Sequence, residues 1–271
     1  MHSSVPRISH PQKQSIKKEF GKNPDYYDQN ADCQKESAER LIASLEPWTA
    51  IIPRGPILEV GCGTGFLSRH LPGLFKERSI EITDLAPEMV EYCRRKMDLK
   101  DEMERVTFDV RDAEYLTAAE ESVSLIIHNF VAQWFQDPAL SMERMVECLK
   151  PGGLMLAAFP GSDSFPEWKE ATEKADVDYT GNELPDTEEI VVKLSNLPVK
   201  VDYYEDTISS RFSSAREFFR HLKKIGASTA ENKDSGLSGS EMKKLIETWD
   251  HSASGEITVN YHVVFLAVKK E

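Results

Sequence analysis

Between residues 57 and 159, short apolar runs alternate with stretches whose apolar positions recur every three or four residues. The runs at 57–60, 80–83, 106–110, 123–129 and 154–159 have strand length. The stretches at 66–75, 87–97 and 138–149 predict helices, and the last two open on Pro87 and Pro138, which suit a first helical turn. This interleaving predicts an α/β fold with a parallel sheet covered on both faces. Ligands of such sheets bind beyond the carboxyl ends of the strands.

Both ends of the chain break this rhythm. Residues 1–19 are polar, contain Pro6, Pro11, Lys13, Lys17 and Lys18, and read as a flexible tail. After Phe20, the positions Ala31, Ala38, Leu41, Ile42 and Leu45 share a helical face, so residues 20–53 are expected to form lid helices. Tyr26 and Tyr27 either pack within this segment or fold over a pocket. Past Phe159, helices are expected at 164–175 and 187–196, a strand at 199–208, helices at 214–225 and 239–249, and a long strand at 256–268. The helices between the last two strands hold more residues than a connection needs, and predict a cap over about 209–252. Residues 20–271 thus read as one elaborated domain, a size that supports one substantial core.

Charge and cysteine usage narrow the classes. A net charge of −13 argues against broad contact with nucleic acid, whose phosphates require a concentrated positive surface. No apolar run long enough to cross a bilayer occurs and the first residues lack a signal-peptide core, so a cytoplasmic protein away from membranes is expected. Cys33, Cys62, Cys93 and Cys148 show no C-x-x-C spacing, and no histidine pair has H-x-x-x-H spacing. Neither a disulfide framework nor a metal site is expected.

The stretch Glu59-Val60-Gly61-Cys62-Gly63-Thr64-Gly65 follows the first strand and leads into a predicted helix. Glycines there accept positive φ and let a ligand lie on bare backbone, while a helix start offers unpaired N–H groups. The G-x-G-x-G spacing departs from the dinucleotide fingerprint G-x-G-x-x-G and lacks the Lys-Ser/Thr of a phosphate loop. Asp84, at the end of the second strand, is placed to accept from two ribose hydroxyls, as expected for several nucleotide cofactors. Leu85-Ala86-Pro87-Glu88-Met89 follows it, Arg111-Asp112-Ala113-Glu114 ends the third strand, and Lys150-Pro151-Gly152-Gly153 turns into the fifth. Asp112 alone would also fit a turn cap, and Met89 the core.

Together these segments resemble the ordered motifs of class I S-adenosylmethionine-dependent methyltransferases. The resemblance implies a Rossmann-like, seven-stranded, mostly parallel sheet with an antiparallel last strand. It implies S-adenosylmethionine as methyl donor and S-adenosylhomocysteine as product, held by Glu59, Gly61, Gly63, Gly65, Asp84, Leu85, Met89, Asp112, Ala113 and Asn129. In that family the glutamate orients the methionine end, the methionine packs on adenine, and the Asp-Ala pair reads the base.

Phe20-Gly21, Tyr27-Asp28, Ala31 and Gln34, then Asn129-Phe130-Val131-Ala132-Gln133-Trp134, Leu222-Lys223-Lys224-Ile225-Gly226-Ala227 and Tyr261-His262 add a narrower likeness. They resemble the malonyl-[acyl-carrier protein] O-methyltransferase family, which implies an acyl carrier protein bearing a malonyl thioester, or a small carboxylic acid, as acceptor in biotin synthesis. Ser124 and His128 depart from common class I patterns. A small-molecule O- or C-methyltransferase and a non-catalytic S-adenosylmethionine-binding module are the competing readings.

A carboxylate acceptor is ionised at neutral pH, so no general base is required. The protein must exclude water and align the reactants, effects worth about 7–11 kcal/mol in favourable cases. Tyr27, Gln133 and Trp134 are expected at the reacting end. Arg211, Arg216, Arg220, His221, Lys223 and Lys224 form the densest basic stretch, either a solvated helix face or a docking surface for an acidic carrier. Arg211 is the residue selected to clamp the acceptor carboxylate.

Overall fold

A computed structural model describes residues 11–97, 99, 104–116, 118–227, 236–253 and 255–271. Its strands are β1 (Ile57–Val60), β2 (Ile80–Asp84), β3 (Val106–Val110), β4 (Val123–Asn129), β5 (Leu149–Pro160), β6 (Val199–Phe212) and β7 (Ile257–Lys270). They form one 7-stranded sheet in the order β3-β2-β1-β4-β5-β7-β6. The first five strands run parallel, and β7 is antiparallel to both β5 and β6. The chain direction of the fill-in reverses between β1 and β4, which creates a crevice at the carboxyl ends of these neighbours.

The helices are α1 (Pro11–Gly21), α2 (Pro24–Asn30), α3 (Asp32–Leu45), α4 (Leu71–Leu74) and α5 (Pro87–Lys96) in the first half. The second half adds α6 (Pro138–Cys148), α7 (Pro166–Ala175), α8 (Thr187–Ser195), α9 (Ala215–Lys224) and α10 (Gly239–Ala253). Side chains alternate across the sheet as strand geometry requires. Leu58, Val60, Ile126, Met155 and Phe159 pack with residues of α6 and α8, whereas Ile57, Ile82, Leu125, Ile127 and Leu156 pack with those of α3 and the late helices α9 and α10. Sequence punctuation explains several starts. Asp137 Oδ1 accepts from Leu140 N at 2.8 Å with Pro138 in the first turn of α6, and Asp186 Oδ1 caps α8 from Glu189 N at 2.9 Å.

Two expectations require correction. The polar segment from Pro11 to residue 19 is part of α1, not a frayed tail, and Ile16 on it is 5% exposed. Burying such a side chain contributes about 2 kcal/mol, more than the exposed Lys22–Glu19 pair at the end of α1, for which about 1 kcal/mol is an upper figure. Residues 1–10 of the expected tail, and 228–235 of the expected cap, lie outside the described residues.

The second correction concerns 66–75, where only Leu71–Leu74 is α-helical. Residues 63–70 instead make successive turns, with His70 N donating to Leu67 O at 2.9 Å and Leu71 N to Ser68 O at 3.3 Å. The Phe66 carbonyl, which a regular helix would offer to the His70 N–H, accepts from Arg69 Nε at 3.3 Å. The glycine turn therefore opens into tight turns and no long helix dipole points at it.

His128, near the carboxyl end of β4, is fully buried and neither ring nitrogen has a hydrogen-bond partner. Burial pushes its pKa down from 6.5 to about 4. The folded state then resists protonation while the unfolded state accepts it below about pH 6.5, so stability present above that pH is lost as pH falls towards 4. Against His128→Leu, the wild type should lose about 3 kcal/mol of relative stability across that window. Urea midpoints of both proteins at pH 7.5 and pH 4.5 check this, and parallel pH dependences would refute it.

Candidate active site

The glycine turn passes so close to the chain leaving β4 that a side chain at Gly61 has no room. Gly61 has φ 68°, and a Cβ there would lie 2.3 Å from Val131 Cγ2. Gly63, at φ 53°, faces open space instead, and its nearest neighbour is the Tyr27 ring at 3.8 Å. The turn is tied to the end of β2, since Cys62 N donates to Thr83 O and Gly63 N donates to Asp84 Oδ2, both at 2.9 Å. Asp84 Oδ1 accepts from Ala86 N at 2.8 Å. Each Asp84 oxygen keeps a further lone pair, an arrangement suited to a vicinal diol. Burial raises the Asp84 pKa, and the backbone N–H groups of Ala86, Gly63 and Leu85 oppose the rise.

A cavity lies against this turn. Of the expected cofactor residues, Gly61, Gly63, Asp84, Leu85, Met89, Asp112, Ala113 and Asn129 line it, and Tyr27 and Trp134 join them. Glu59 and Gly65 are not among its lining residues. A Cβ on Gly65 would press on Cys93 Sγ at 3.0 Å, so this glycine seats the turn on α5. Glu59 is 1% exposed and its Oε2 lacks a hydrogen-bond partner. Burial pushes its pKa up to about 8; the Ser68 hydroxyl and N–H oppose this, and the Asp84 charge adds to it.

Asn129 and Asp112 are both tied to the N-terminal helices. Asn129 Oδ1 accepts from Ser37 Oγ at 2.7 Å, and its Nδ2 donates to Gln34 O at 2.8 Å, which anchors α3 to the end of β4. Asp112 Oδ1 accepts from Glu114 N at 3.1 Å and from Lys13 Nζ at 2.7 Å. The turn-capping role that Asp112 shares with many aspartates is thus real here, and it coexists with a place in the cavity wall. Aromatic rings close the cavity, with Tyr27 stacked on Phe66 at 6.1 Å and Phe20 edge-on to Trp134 at 5.3 Å. Burial, followed by the Asp84 and Cys33 charges, raises the Tyr27 pKa.

A second, larger cavity adjoins the first, and Phe130 and Trp134 line both. Phe130 has φ 56°, a left-handed conformation uncommon for an aromatic residue, with its N–H bonded to Ala158 O at 2.7 Å. Gln133 lines this second space, donating from Nε2 to Phe130 O at 2.9 Å while its buried Oε1 has no partner. Trp168 and Tyr261 belong to the same wall, and the buried Trp168 Nε1–H also lacks a partner. Both indole and phenol normally find a partner when buried.

Arg211 is not in either cavity. The expected catalytic placement fails because β6 continues to Phe212, whose side chain packs in the cap core; strand alternation turns Arg211 to the other face, where it is exposed opposite Thr258. The cations that line the second cavity are Arg216, Arg220 and Lys223. Their spacing places them on one stripe of α9, at a mouth where all three are exposed. Lys13, Ile16 and Trp168 are site residues that sequence reasoning missed. The sole hint for the first two was the apolar Ile16 inside a polar, basic segment, and Trp168 gave no signal beyond its predicted helix.

Among the described residues no helix is long and apolar enough to cross a membrane. Residues 57–153 match the family described as Methyltransferase domain. The chain is 29% identical to a malonyl-[acyl-carrier protein] O-methyltransferase of Priestia megaterium, across 95% of this chain and 98% of that protein. It is 27% identical to the enzyme of the same name from Bacillus cytotoxicus, across 94% and 91%. In fold it is similar to the YcgJ protein of Bacillus subtilis, with a TM-score of 0.58 at 15% identity over 86% of this chain and 99% of that one.

Gly61→Ala should destabilise the protein by about 2–4 kcal/mol, from positive φ and overpacking together. Val131→Ala should recover part of that loss in the double variant, as read from urea unfolding; strict additivity would contradict the contact.

Proposed function

Because the chain is a class I S-adenosylmethionine-dependent methyltransferase, we propose that its acceptor is the free carboxylate of a malonyl thioester on an acyl carrier protein, an early step of biotin synthesis in the cytoplasm. The observation that carries this reading is the pair of adjoining cavities, the larger one fringed by the Arg216, Arg220 and Lys223 stripe on an otherwise acidic chain. Similarity to relatives named for that reaction extends over the late cap as well as the glycine core.

The residues present suit the cofactor. Gly63 offers bare backbone, Asp84 has carboxylate oxygens for ribose hydroxyls and Met89 supplies an apolar wall, while Glu59, beneath the turn and outside the cavity lining, keeps an Oε2 without a hydrogen-bond partner that a donor reaching past the turn would satisfy. S-adenosylmethionine supplies an electrophilic methyl group on a sulfonium. Phe130 and Trp134 keep the acceptor cavity directly against the cofactor cavity. Phe20, Tyr27 and Trp134 line the cofactor side with rings, and exclusion of water by a bound cofactor and acceptor would strengthen attraction between carboxylate and sulfonium. The acceptor needs no deprotonation. Gln133 and the Trp168 indole N–H provide polar positioning near an otherwise apolar channel.

Arg216, Arg220 and Lys223 sit at the mouth and not at the reacting end, so their task is to receive an acidic carrier. Exposed charges of this kind raise association rate and confer salt dependence more than they add affinity.

Incubation with methyl-labelled S-adenosylmethionine and malonyl-acyl carrier protein should place label on the carrier, released by alkaline ester cleavage. Label that alkali cannot release would sink the proposal, and label on free small acids alone would favour a small-molecule methyltransferase. Arg220→Ala combined with Lys223→Ala should raise KM for the carrier substrate about tenfold at low salt with kcat little changed. Arg211→Ala should behave as wild type. Equal effects of the two substitutions would remove the docking role from α9.

A further inference from the structure

Helix α1 carries a positive charge into the wall of the cofactor cavity. The Lys13 side chain is 10% exposed, and its ammonium bonds Asp112 Oδ1 at 2.7 Å and pairs with the carboxylate of Glu114. It also lies 5.8 Å from the centre of the Phe135 ring. Ammonium groups are strongly hydrated, and a lysine gives up that hydration only where paired charges compensate. Here two acidic side chains of one short segment do so. Glu114 is itself fixed, because its Oε1 accepts from Gln136 N at 2.7 Å. The cluster is therefore a built assembly and not a chance surface pairing.

Its geometry treats the two oxygens of Asp112 differently. Oδ1 accepts from Lys13 and from the Glu114 backbone N–H at 3.1 Å. Oδ2 has no hydrogen-bond partner among the described residues, and Asp112 lines the cavity. Two donors arriving from different elements hold the carboxylate plane, so the free oxygen has one direction in which to accept. A purine bearing a 6-amino group can donate to that oxygen, whereas a 6-oxo purine presents a second acceptor and is repelled. Without Lys13, Asp112 would keep only the Glu114 N–H as a tether, and the uncompensated Glu114 charge would sit beside it.

Resting on the reading of this cavity as the S-adenosylmethionine site, we propose that Lys13 is a positioning residue for base specificity, acting through Asp112 to aim Oδ2 at the 6-amino group. The lysine need not touch the cofactor. Its role differs from that of a simple latch on α1, which would hold any nucleoside equally.

The test is calorimetric titration of the full chain with S-adenosylhomocysteine and with its inosine counterpart, in which a carbonyl replaces the 6-amino group. Lys13→Met retains most of the apolar stem and removes the charge, while Lys13→Arg retains the charge; thermal melts establish that both variants are folded. The wild-type preference for the adenosyl ligand should fall at least about tenfold in Lys13→Met and stay within about threefold in Lys13→Arg. If Lys13→Met weakens both ligands by the same factor, or neither, Lys13 has no part in base selection and the proposal is overturned. Wild-type protein that binds neither ligand overturns the cofactor reading and this inference with it; wild-type binding with unaltered preference in Lys13→Met overturns this inference alone.

Discussion

The contact between Gly61 and Val131 brings the ends of β1 and β4 together, and much of the site follows from it. With a hydrogen atom where every other residue has a Cβ, the turn after β1 can lie against the segment after β4, the Cβ position being 2.3 Å from Val131 Cγ2. That approach leaves Gly63 facing the cavity and within reach of the Asp84 carboxylate. Next to Val131, Phe130 holds a left-handed conformation and lines both cavities. A single steric allowance thus sits where the two cavities meet, at the switch point of the sheet.

The electrostatics of the site are set by burial more than by pairing. The Asp84 charge adds to the rise of Glu59, and burial disfavours the ionised forms of both. Burial pushes the Glu59 carboxyl up to about 8. Asp84 is opposed in its rise by three backbone N–H groups. A cationic ligand entering beside Glu59 would favour its ionised form, and binding would then be coupled to proton release. The second cavity follows a different rule. Its cations are exposed on one stripe of α9, where solvent screens them and no desolvation is required.

The N-terminal segment shows how polar sequence can conceal a structural element. Lys13, Lys17 and Lys18 with two prolines nearby have the composition of a solvated end, yet Ile16 is buried and Lys13 is inserted between two acids. The energy that orders α1 comes from groups far away in sequence, among them Asp112, 99 positions distant from Lys13. Composition cannot register such pairing. The reverse error occurred after the glycine turn, where apolar spacing is helical but the Arg69 side chain takes the Phe66 carbonyl and the chain stays in tight turns.

The sequence by itself determined the strand and helix alternation, because periodicity of apolar positions reports which faces are buried. The methyl-donor class was legible through the resemblance of its ordered motifs to class I S-adenosylmethionine-dependent methyltransferases, and the fold brings Gly61, Gly63, Asp84, Met89 and Asp112 of those motifs to one cavity. Tertiary structure alone decided which cations line the second cavity. Arg211 and Arg220 are both basic residues of one dense stretch, and what separates them is that β6 persists through Phe212 before α9 begins, turning one outward and setting the other at the cavity mouth. It also decided that Lys13 belongs to the cofactor wall. Both outcomes depend on where distant backbone segments meet, which no local pattern of residue types encodes.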